Sequence, residues 1–368
     1  MKLLFLAPAN SAHSTRWIRW FSEQGHEVAW ISAHPLEFEA PLGVTWHILP
    51  AGGGTVVMRW IRWLTAVRAI ARATRPDVVH IHSLGTYAAL AFAIPSGVPM
   101  VATPWGSDII LDLEAWWRRA IVRHTLRRSV LYTCDAQHMR RRLAEFGVDP
   151  ALVKIINFGV ETERFLAIAR QRHIDVAAAG GGARPFRVIS LRLLDPIYDI
   201  STLVRAVQRL KDRGIRVAVD IHASGPDRAR LEQLVADSSL GDVVTFHGRY
   251  SQGTLPGILS GADLYVSTST SDAGIAASTA EAMAAGLPVI ISDSGENAAW
   301  ITDRVNGRLF PTGNDEALAT AIEEAAAKPG WCREWAEAGQ QTILERNDYQ
   351  TEMLKMEVLY KAAVRAAR

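Results

Sequence analysis

The chain has 368 residues, of which 49% are hydrophobic and 21% charged, and its formal net charge is +2. This length exceeds a typical single hydrophobic core, so the sequence predicts two domains. The small excess charge argues against a nucleic-acid partner. No stretch reaches the roughly 18 uninterrupted apolar residues that a membrane span requires.

The two cysteines and the first residues indicate the compartment. Cys134 and Cys332 match no metal or redox spacing, which predicts free thiols in a reducing cytosol. The opening "MKLLFLAPAN" has a basic residue and an apolar run, but the run stops at Pro8. This favours a buried first strand over a signal peptide. We therefore expect a cytoplasmic protein.

Short apolar runs alternate with helical patterns along the whole chain. Strands are predicted at "KLLFLAP", "AWIS", "DVVHIH", "PMVATPW", "SVLYTCD" and "VKIINFG". After the alanine- and glycine-rich stretch "VAAAGGGARPF", five more follow at "RVISLRL", "RVAVDIHA", "VVTFHG", "ADLYVSTS" and "LPVIISD". This rhythm predicts the α/β class, with two doubly wound Rossmann-like parallel-sheet domains facing across a cleft.

The predicted boundaries follow from the same pattern. An amino-terminal domain covers 1–165, a linker 166–185 and a carboxyl-terminal domain 186–345. A final helix, 346–368, is expected to cross back toward the amino-terminal domain. Because such sheets bind ligands outside the carboxyl ends of their strands, the loops at those ends are the candidate sites.

The stretch "TSDAGIAASTAEAMAAGLPVIISD", 270–293, consists almost entirely of small residues. It predicts a loop over Asp272–Ala277 that leads into a helix, whose first N–H groups suit a phosphate. Ser278 and Thr279 are candidates either to cap this helix or to bind a phosphate oxygen. Glu281, expected within the first turn, can accept both hydroxyls of a diol such as a ribose. An ordinary capped helix explains the same pattern.

A second stretch, "RVISLRLLDPIYD", places Arg192 just past a buried strand, with a helix starting near Ile200. At the carboxyl end of a strand, a guanidinium can hold a diphosphate through two parallel hydrogen bonds. A surface arginine fits the same position, so this pattern alone leaves both interpretations open.

Several segments resemble family 4 glycosyltransferases of the two-domain GT-B fold. They are, in chain order, "DVVHIHSLG", "VATPWGSD", "INFGVETERF", "HASGPDRARL", "VTFHGRYSQGTLPGIL", "ADLYVSTS" and "LPVIISDSGENAAW", so the resemblance covers almost the whole chain. It implies transfer of a sugar from a nucleotide-sugar donor to a glycan or lipid-linked acceptor. It also implies retention at the anomeric carbon, in polysaccharide or glycolipid biosynthesis.

The resemblance implies roles for individual donor-side residues. Glu281 matches the second acid of the family's Glu-x7-Glu motif, which holds the ribose, and Arg192 matches the arginine beside the diphosphate. Other expected donor contacts are Gly225, Arg249, Tyr250, Gly274, Ile275 and Ala276, together with Ser278 and Thr279.

The donor side also departs from the family pattern. Ala273 stands where the first acid of the motif belongs, and Asp272 lies one position earlier. Either the loop has one extra residue and Asp272 takes that role, or the donor needs no acid there. The family's lysine is absent, so a diphosphate would rest on Arg192, helix amides and the Tyr198 hydroxyl. We expect Arg192, Asp272 and Glu281 to be catalytic.

No metal or other cofactor is predicted. His80 and His82 lie on one face of a strand without acids placed beside them, which favours structural histidines. Retention without an obvious enzymic nucleophile points to front-face attack, in which the leaving phosphate oxygen helps to remove the proton of the acceptor. The protein then supplies position and electrostatic stabilisation.

The resemblance assigns the acceptor to the amino-terminal domain. The predicted contacts are His82 on its strand and, around the loops after strands, His13, Ser14, Arg16, Trp105, Gly106, Ser107 and Asp108. Asp108 is also predicted as catalytic, although each polar residue could equally cap a helix. Trp105 stands where many family members have a histidine, which puts the role of that histidine in doubt here.

Two basic, tryptophan-containing segments lie in the first 165 residues, which hold 18 Lys and Arg against 13 Asp and Glu. They are "MRWIRWLTAVRAIARATR" and "AWWRRAIVRHTLRR". Such helices bind the surface of the inner membrane leaflet, where a lipid-linked acceptor would lie. Alternatively, the apolar residues pack on the domain's own sheet and the arginines face water.

Two other functions fit the same sequence. A catalytically inactive nucleotide-sugar-binding partner subunit would explain the missing lysine, acid and histidine, whereas the retained Arg192 and Glu281 argue against it. A different enzyme of the same architecture, such as a sugar-nucleotide epimerase, is a third interpretation.

Overall fold

The structure, a computed structural model, describes residues 1–37, 39–50, 53–110, 115–178, 184–272 and 274–366. It consists of two compact units. Unit 1 contains Met1–Phe158 and Thr351–Arg368, and unit 2 contains Gly159–Gln350. Each unit is built on a parallel sheet with helices between its strands, which confirms the predicted fold class.

Within the described residues, the sheet of unit 1 has seven strands. They are β1 (Lys2–Leu6), β2 (Glu27–Ser32), β3 (Val44–Ile48), β4 (Val78–His82), β5 (Met100–Thr103), β6 (Leu131–Cys134) and β7 (Val153–Ile155). Their order is β3-β2-β1-β4-β5-β6-β7, and all neighbours pair in parallel. The edge strand β3 is not among the predicted strands, because its partly exposed side chains give no continuous apolar run.

The helices of unit 1 connect these strands. They are α1 (Ala12–Glu23), α2 (Val56–Thr74), α3 (Thr86–Leu90), α4 (Ser107–Ile110), α5 (Trp116–Arg128) and α6 (Gln137–Glu145). Short 3-10 turns occur at Ala91–Ala93 and Pro150–Leu152. The inner strands are buried on both faces, as expected for a parallel sheet covered by helices on each side.

Unit 2 contains six strands in the part of the chain that the structure describes. They are β8 (Phe186–Ser190), β9 (Val217–Ile221), β10 (Val244–Phe246), β11 (Leu264–Ser267), β12 (Val289–Ser292) and β13 (Arg308–Phe310). The order is β10-β9-β8-β11-β12-β13, again wholly parallel. The three-residue edge strand β13 is not among the five strands that the sequence predicts.

The helices of unit 2 begin with one that the sequence analysis did not predict. They are α7 (Thr162–Ala178), α8 (Ile200–Asp212), α9 (Arg228–Asp237), α10 (Leu255–Gly261), α11 (Ala277–Ala284), α12 (Asn297–Trp300), α13 (Asp315–Ala327) and α14 (Pro329–Arg346). A 3-10 turn spans Pro196–Tyr198. Helix α15 (Tyr349–Ala366) follows, and from Thr351 onward it belongs to unit 1.

The predicted linker, 166–185, differs from the structure. Helix α7 occupies most of it, Phe165 and Ile168 pack in the hydrophobic core of unit 2, and Ala169 is buried. The alanines in this stretch are the reason for predicting a linker. Because alanine is the strongest helix former, the same residues form a helix here, which explains why the prediction was wrong. The division between the units falls at Phe158 and Gly159 instead. Residues 179–183 of the predicted linker lie outside the described residues.

A buried chain of hydrogen bonds joins α15 to the sheet of unit 1. The Tyr360 hydroxyl bonds to His80 Nδ1, and His80 Nε2 lies 2.6 Å from Thr103 Oγ1. Thr103 in turn bonds to the Thr133 hydroxyl. His82 Nε2 lies 3.2 Å from His80 Nδ1, and burial lowers the pKa of His82 to about 3. These contacts fit the prediction that the two histidines are structural.

The buried histidines predict how stability depends on pH. Above pH 6.5 His82 is neutral in both states. Below it the unfolded chain takes up a proton that the folded one does not, so stability falls. His82→Phe keeps an aromatic ring in the same cluster but does not titrate. Between about pH 6.5 and 5, the unfolding free energy of this variant should therefore fall less steeply than that of the parent, by up to about 1.4 kcal/mol per pH unit. Chemical denaturation followed by tryptophan fluorescence measures it, since nine of the twelve tryptophans lie in unit 1.

Phe5→Leu is the matched control, because Phe5 packs against both histidine rings and does not titrate. It should lower the unfolding free energy equally at both ends of that pH range. Identical pH slopes for His82→Phe and the parent would contradict the proposed proton linkage.

Candidate active site

The predicted donor-side residues follow strands at the centre of the sheet of unit 2. From β8, the chain continues to β9 on one side, while β11 lies on the other. The point where the direction of strand order reverses is where doubly wound sheets bind ligands, beyond the carboxyl ends of the strands. Arg192 follows β8, Asp272 follows β11, and the loop after β12 contacts Asp272.

Arg192 is held on two sides. Its Nη2 donates to Asp272 Oδ1 at 2.5 Å, and its Cζ lies 4.4 Å from the centre of the Tyr198 ring. The side chain of Arg192 is 12% exposed and that of Asp272 is 6% exposed. The structure therefore brings together three residues that the sequence predicts, as an ion pair with a cation–π contact.

Asp272 is fixed by further contacts from the loop after β12. Its Oδ2 accepts a 3.4 Å hydrogen bond from Asn297 Nδ2, and Asn297 also donates to the Ser292 carbonyl at 2.9 Å. Gly295 has a φ of +58°, and a Cβ there would lie 1.9 Å from the Asp272 carbonyl oxygen. Both carboxylate oxygens of Asp272 are thus engaged, which suits a positioning role better than that of a free nucleophile.

The turn that carries Tyr198 is bound to the loop after β11. The Thr268 hydroxyl donates to the Tyr198 carbonyl at 2.8 Å. The Thr270 N–H and hydroxyl both donate to the Ile197 carbonyl, at 2.8 and 2.9 Å. Because the two loops are connected in this way, Arg192, Tyr198 and Asp272 keep a fixed mutual geometry.

Helix α11 begins at Ala277, and its N-cap, Ala276, makes no side-chain capping bond within the described residues. The structure contradicts the capping role predicted for Ser278 and Thr279, whereas their contact with a phosphate stays a prediction. Ser278 Oγ lies 2.9 Å from the Tyr265 hydroxyl, and the buried Thr279 hydroxyl donates to the same oxygen at 3.2 Å. They fix the helix to β11 instead, which sequence spacing does not reveal.

Around this helix start, Gly274 is buried, Ile275 and Ala276 are half-buried, and Ala277 is exposed. Ala273 lies outside the described residues. The N–H groups of the first turn therefore lie at a helix end that is open at Ala277, and such groups favour an anion.

Glu281 is the fifth residue of α11, so it lies beyond the first turn where the sequence analysis placed it. It is half-buried, and its charge acts on Tyr250. Burial, with a further contribution from Glu281, raises the pKa of Tyr250, whereas the positive charge of Arg192 opposes that rise. The electrostatic coupling links Tyr250 to both the predicted ribose acid and the predicted phosphate arginine.

Two predicted donor residues have local structural partners. A Cβ on Gly225 would lie 2.2 Å from the Leu194 carbonyl oxygen, so glycine is needed for the loops after β8 and β9 to meet. Arg249 is exposed, and its Nε donates to Ser224 Oγ at 2.9 Å. Gly225 lies in the loop after β9, beside that of Arg192, and Arg249 lies in the next loop along the sheet, after β10.

On the acceptor side, unit 1 brings several predicted residues into one aromatic cluster. The His13 ring lies 4.2 Å from Phe158 and 6.2 Å from Trp105, and the His82 ring lies 5.9 Å from Trp105. Burial, reinforced by Arg16, lowers the pKa of His13 to about 4. His13 is therefore neutral at physiological pH.

Three of the predicted acceptor contacts are buried within unit 1, and their acceptor role stays a prediction. Ser14 and His82 are both 0% exposed, so neither side chain reaches the surface of unit 1. Asp108 is also buried, and its oxygens accept the main-chain N–H groups of Leu84 and Trp105, at 2.5 and 2.9 Å. Its carboxylate thus binds main-chain N–H groups of neighbouring loops, a local structural role similar to the helix cap that the sequence left open as an alternative.

The neighbouring residues complete that loop. Gly106 has a φ of +110°. Ser107 is the first residue of the short helix α4, and its side chain is not among those that the structure describes. Buried polar atoms without a hydrogen-bond partner among the described residues occur at His13 Nδ1, Ser14 Oγ, Trp17 Nε1, His82 Nδ1 and Trp105 Nε1. Such atoms are rare in folded proteins and mark a place where water or ligand hydroxyls complete the structure.

Gly295 and Asn297 contact Asp272 in the candidate site and were not predicted from the sequence. Both lie in "SDSGENAAW", which the sequence analysis used only as part of a family resemblance. A glycine followed by polar residues directly after a buried strand is the signal that would have pointed to them.

Across the described ranges, no group of three or more His, Cys, Asp or Glu residues could hold a metal ion. None of the described helices is long and apolar enough to cross a bilayer.

Comparison with known families assigns both halves of the chain. Residues 11–164 match the model described as Glycosyltransferase Family 4, and residues 180–342 match Glycosyl transferases group 1. The chain belongs to the family 4 glycosyltransferases. The family predicted from the sequence motifs is thereby confirmed.

Two curated relatives of this glycosyltransferase family are informative. An amylovoran biosynthesis glycosyltransferase, AmsK of Erwinia amylovora, is 28% identical over 189 residues, which cover 50% of this chain and 44% of that protein. A GDP-mannose-dependent alpha-(1-6)-phosphatidylinositol monomannoside mannosyltransferase of Mycolicibacterium smegmatis is 26% identical over 266 residues. That alignment covers 68% of this chain and 67% of the mycobacterial protein. The chain thus spans less than half the length of AmsK.

Among solved structures, Anabaena HepE in complex with UDP-glucose has a TM-score of 0.80 at 18% identity. The match covers 98% of this chain and 100% of HepE. At this identity the likeness concerns the fold of the glycosyltransferase.

Gly295→Ala should displace the Asp272 loop. A left-handed φ costs a non-glycine residue about 1–2 kcal/mol, and the clash with the Asp272 carbonyl adds about 1–3 kcal/mol of overpacking. We expect the unfolding free energy of unit 2 to fall accordingly, as measured by urea denaturation.

Gly313→Ala separates the two effects. Gly313 has a φ of +77°, and a Cβ there meets nothing within 4 Å, so only the backbone strain should appear. Equal losses for the two variants would mean that the Gly295–Asp272 approach is not a tight constraint.

Proposed function

We propose that this glycosyltransferase transfers a sugar from a nucleotide-sugar donor to a glycan or lipid-linked acceptor with retention at the anomeric carbon. The observation that carries the proposal is the constellation of Arg192, Tyr198 and Asp272, fixed beside the start of α11 in the same unit as Glu281. Two of the similar proteins add support, since the mycobacterial mannosyltransferase depends on GDP-mannose and HepE was solved with UDP-glucose. Polysaccharide or glycolipid biosynthesis is the process that AmsK and the mannosyltransferase indicate.

In the proposed reaction the donor diphosphate is bound between Arg192 and the first N–H groups of α11. Arg192 has five N–H donors, of which one is on Asp272, so further donors can meet phosphate oxygens. The Tyr198 ring lies over the guanidinium and limits its rotation. Glu281 then accepts the ribose hydroxyls, and the half-buried Tyr250 lies close enough to both charges to border the bound nucleotide.

The bond changes are those of a front-face displacement. The acceptor oxygen bonds to the anomeric carbon as the bond from that carbon to the phosphate oxygen breaks. The proton of the acceptor hydroxyl passes to the departing phosphate oxygen. The protein contributes orientation and stabilisation of the negative charge that develops on the diphosphate. With both its oxygens bound, Asp272 orients Arg192 and takes no covalent part.

The acceptor is proposed to bind unit 1 near His13 and Trp105. His13 Nδ1 and Trp105 Nε1 lack a hydrogen-bond partner among the described residues, and both side chains are half-buried, so the hydroxyls of a sugar or a lipid-linked glycan can satisfy them. We further propose that unit 1 contacts the inner leaflet of the cytoplasmic membrane through α2 and α5. Val57 in α2 is 66% exposed and Trp116 in α5 is 80% exposed, although Val67 and Ala71 of α2 are buried in the core.

The decisive experiment is product analysis with a panel of UDP, GDP and CMP sugars, with and without membrane extracts as acceptor source. Proton NMR of the product gives the anomeric configuration, which should equal that of the donor. In Arg192→Gln, turnover should fall about 100- to 1,000-fold, as expected when one charge-stabilising donor is lost. The acceptor KM should change little.

Arg205→Gln is the control, since Arg205 is exposed on α8 and lies outside the constellation. Full activity in Arg192→Gln would refute the proposed role of this arginine. Donor binding without any turnover in the parent would instead support an inactive partner subunit, and product without added acceptor would support an epimerase.

Glu281→Gln tests the ribose contact directly. A hydrogen bond to a charged group is worth about 1.5–3 kcal/mol, so affinity for the preferred nucleoside diphosphate should fall about tenfold or more. The parent should also bind the 2′-deoxy or 3′-deoxy analogue more weakly than the ribonucleotide, and the variant should lose this discrimination. Isothermal titration calorimetry measures both.

Glu334→Gln, an exposed position on α14, is the matched control. If Glu281→Gln weakens ribo- and deoxyribonucleotides to the same extent, then its carboxylate does not contact the ribose.

A further inference from the structure

Unit 1 contains an apolar cavity of about 610 Å3 between α2, α3 and α5. This volume lies within the range of small-molecule sites, which is about 300–1,000 Å3. Its apolar walls are Leu64, Leu84, Ala89, Phe92, Ile121 and Val122. The cavity is separate from the predicted donor site, since all of its lining residues belong to unit 1.

The burial of the lining residues shows that the cavity opens to the surface. Leu84 and Val122 are buried and form its inner end, whereas Phe92, Trp117 and Arg118 are exposed. The Arg118 guanidinium lies 5.2 Å from the Trp117 ring, so an aromatic side chain and a cation stand together at the open side. An apolar interior with an amphipathic entrance fits a hydrocarbon chain that carries a polar head.

The two long helices beside the cavity are strongly basic. Helix α2 contains four arginines and α5 contains five, and neither contains an aspartate or glutamate. In α5, Arg118, Arg119 and Arg123 are all exposed. The surface at the open side therefore favours a negatively charged head group, such as that of an anionic phospholipid.

Exposed apolar side chains continue this surface beyond the cavity. Val56, Val57, Met58 and Ile61 at the start of α2 are exposed, and so is Trp116 at the start of α5. Apolar residues and tryptophan beside arginines are typical of a surface that lies in the membrane interface. They place the opening where phospholipid chains are available.

We propose that this cavity binds one hydrocarbon chain of an anionic membrane phospholipid, with the phosphate near Arg118 and Arg119. The inference rests on the membrane contact proposed above and not on sugar transfer. Asp108, an acid in the cavity wall, accepts the Leu84 and Trp105 N–H groups, so its charge is directed toward the main chain. Through Asp108, the cavity adjoins the loop predicted to bind the acceptor.

The test is photo-crosslinking of the full chain on vesicles of equimolar phosphatidylcholine and phosphatidylglycerol. A trace of the phosphatidylglycerol carries a diazirine within one acyl chain, and adducts are mapped by mass spectrometry. We expect adducts on Leu64, Phe92 and Ile121. Adducts confined to Val56–Ile61 and Trp116 would mean that the chains stay in the bilayer, and this result would overturn the proposal.

Ala89→Trp should fill the cavity and lower its adducts about tenfold, equivalent to about 1.4 kcal/mol, while vesicle binding persists. Ala73→Trp, an exposed position on α2 that does not line the cavity, is the control and should keep its adducts. Ala89→Leu serves as a smaller variant if Ala89→Trp does not fold. Unchanged cavity adducts in both Ala89 variants would refute the assignment.

Two further outcomes would contradict parts of the proposal. A lipid-free dimer in analytical ultracentrifugation that Ala89→Trp dissociates would mean that a second copy covers the cavity. Equal adduct yields from neutral and anionic vesicles would refute the role of the arginines. Neither measurement uses a sugar donor, so failure here is distinguishable from failure of the proposed transfer reaction.

Discussion

The ion pair between Arg192 and Asp272 is the interaction on which the candidate active site depends. A charge pair that is almost removed from water is stable only when further hydrogen bonds compensate the lost hydration. Here Asn297 supplies one to Asp272, and Gly295 lets the loop after β12 approach closely enough to confine the same residue. Three separate loops are thereby held around one guanidinium, and its direction is set before any ligand arrives.

The ion pair lowers the affinity of Arg192 for an anion but fixes the orientation of its guanidinium. An unpaired arginine would attract a diphosphate more strongly, because Asp272 cancels part of its charge. A preorganised donor, however, needs no reorganisation when negative charge develops, and this is the larger benefit for a transition state. The start of α11 adds main-chain N–H groups that carry no countercharge. In the proposed reaction this geometry would compensate for the missing family lysine, since the Tyr198 ring lies against the guanidinium and limits its rotation.

The sequence predicted what depends on local pattern and missed what depends on contacts distant in sequence. Continuous apolar runs identified the buried strands, but β3 and β13 lie at sheet edges, where one strand is partly exposed and the other very short. Arg192 and Asp272 were found because each follows a buried strand. Their mutual pairing, 80 positions apart, was not predictable. Ser278 and Thr279 looked like caps, but their hydroxyls bond to Tyr265, which the fold alone brings beside them.

The two units share one architecture but differ in the charges of the side chains near the point where the strand order reverses. In both sheets the strand order reverses beside a central strand, at β1 and β4 in unit 1 and at β8 and β11 in unit 2. Unit 2 has an ion pair there, whereas unit 1 has neutral rings, among them His13 and His82, whose depressed pKa values keep them uncharged. Neutral rings with unpaired polar atoms are suited to hydroxyls, and the positive charge of Arg16 acts on the His13 ring beside them. In the proposed reaction, equivalent positions of one fold would serve a charged donor in unit 2 and a hydroxylated acceptor in unit 1, and the difference lies in the side chains at those positions and not in the fold.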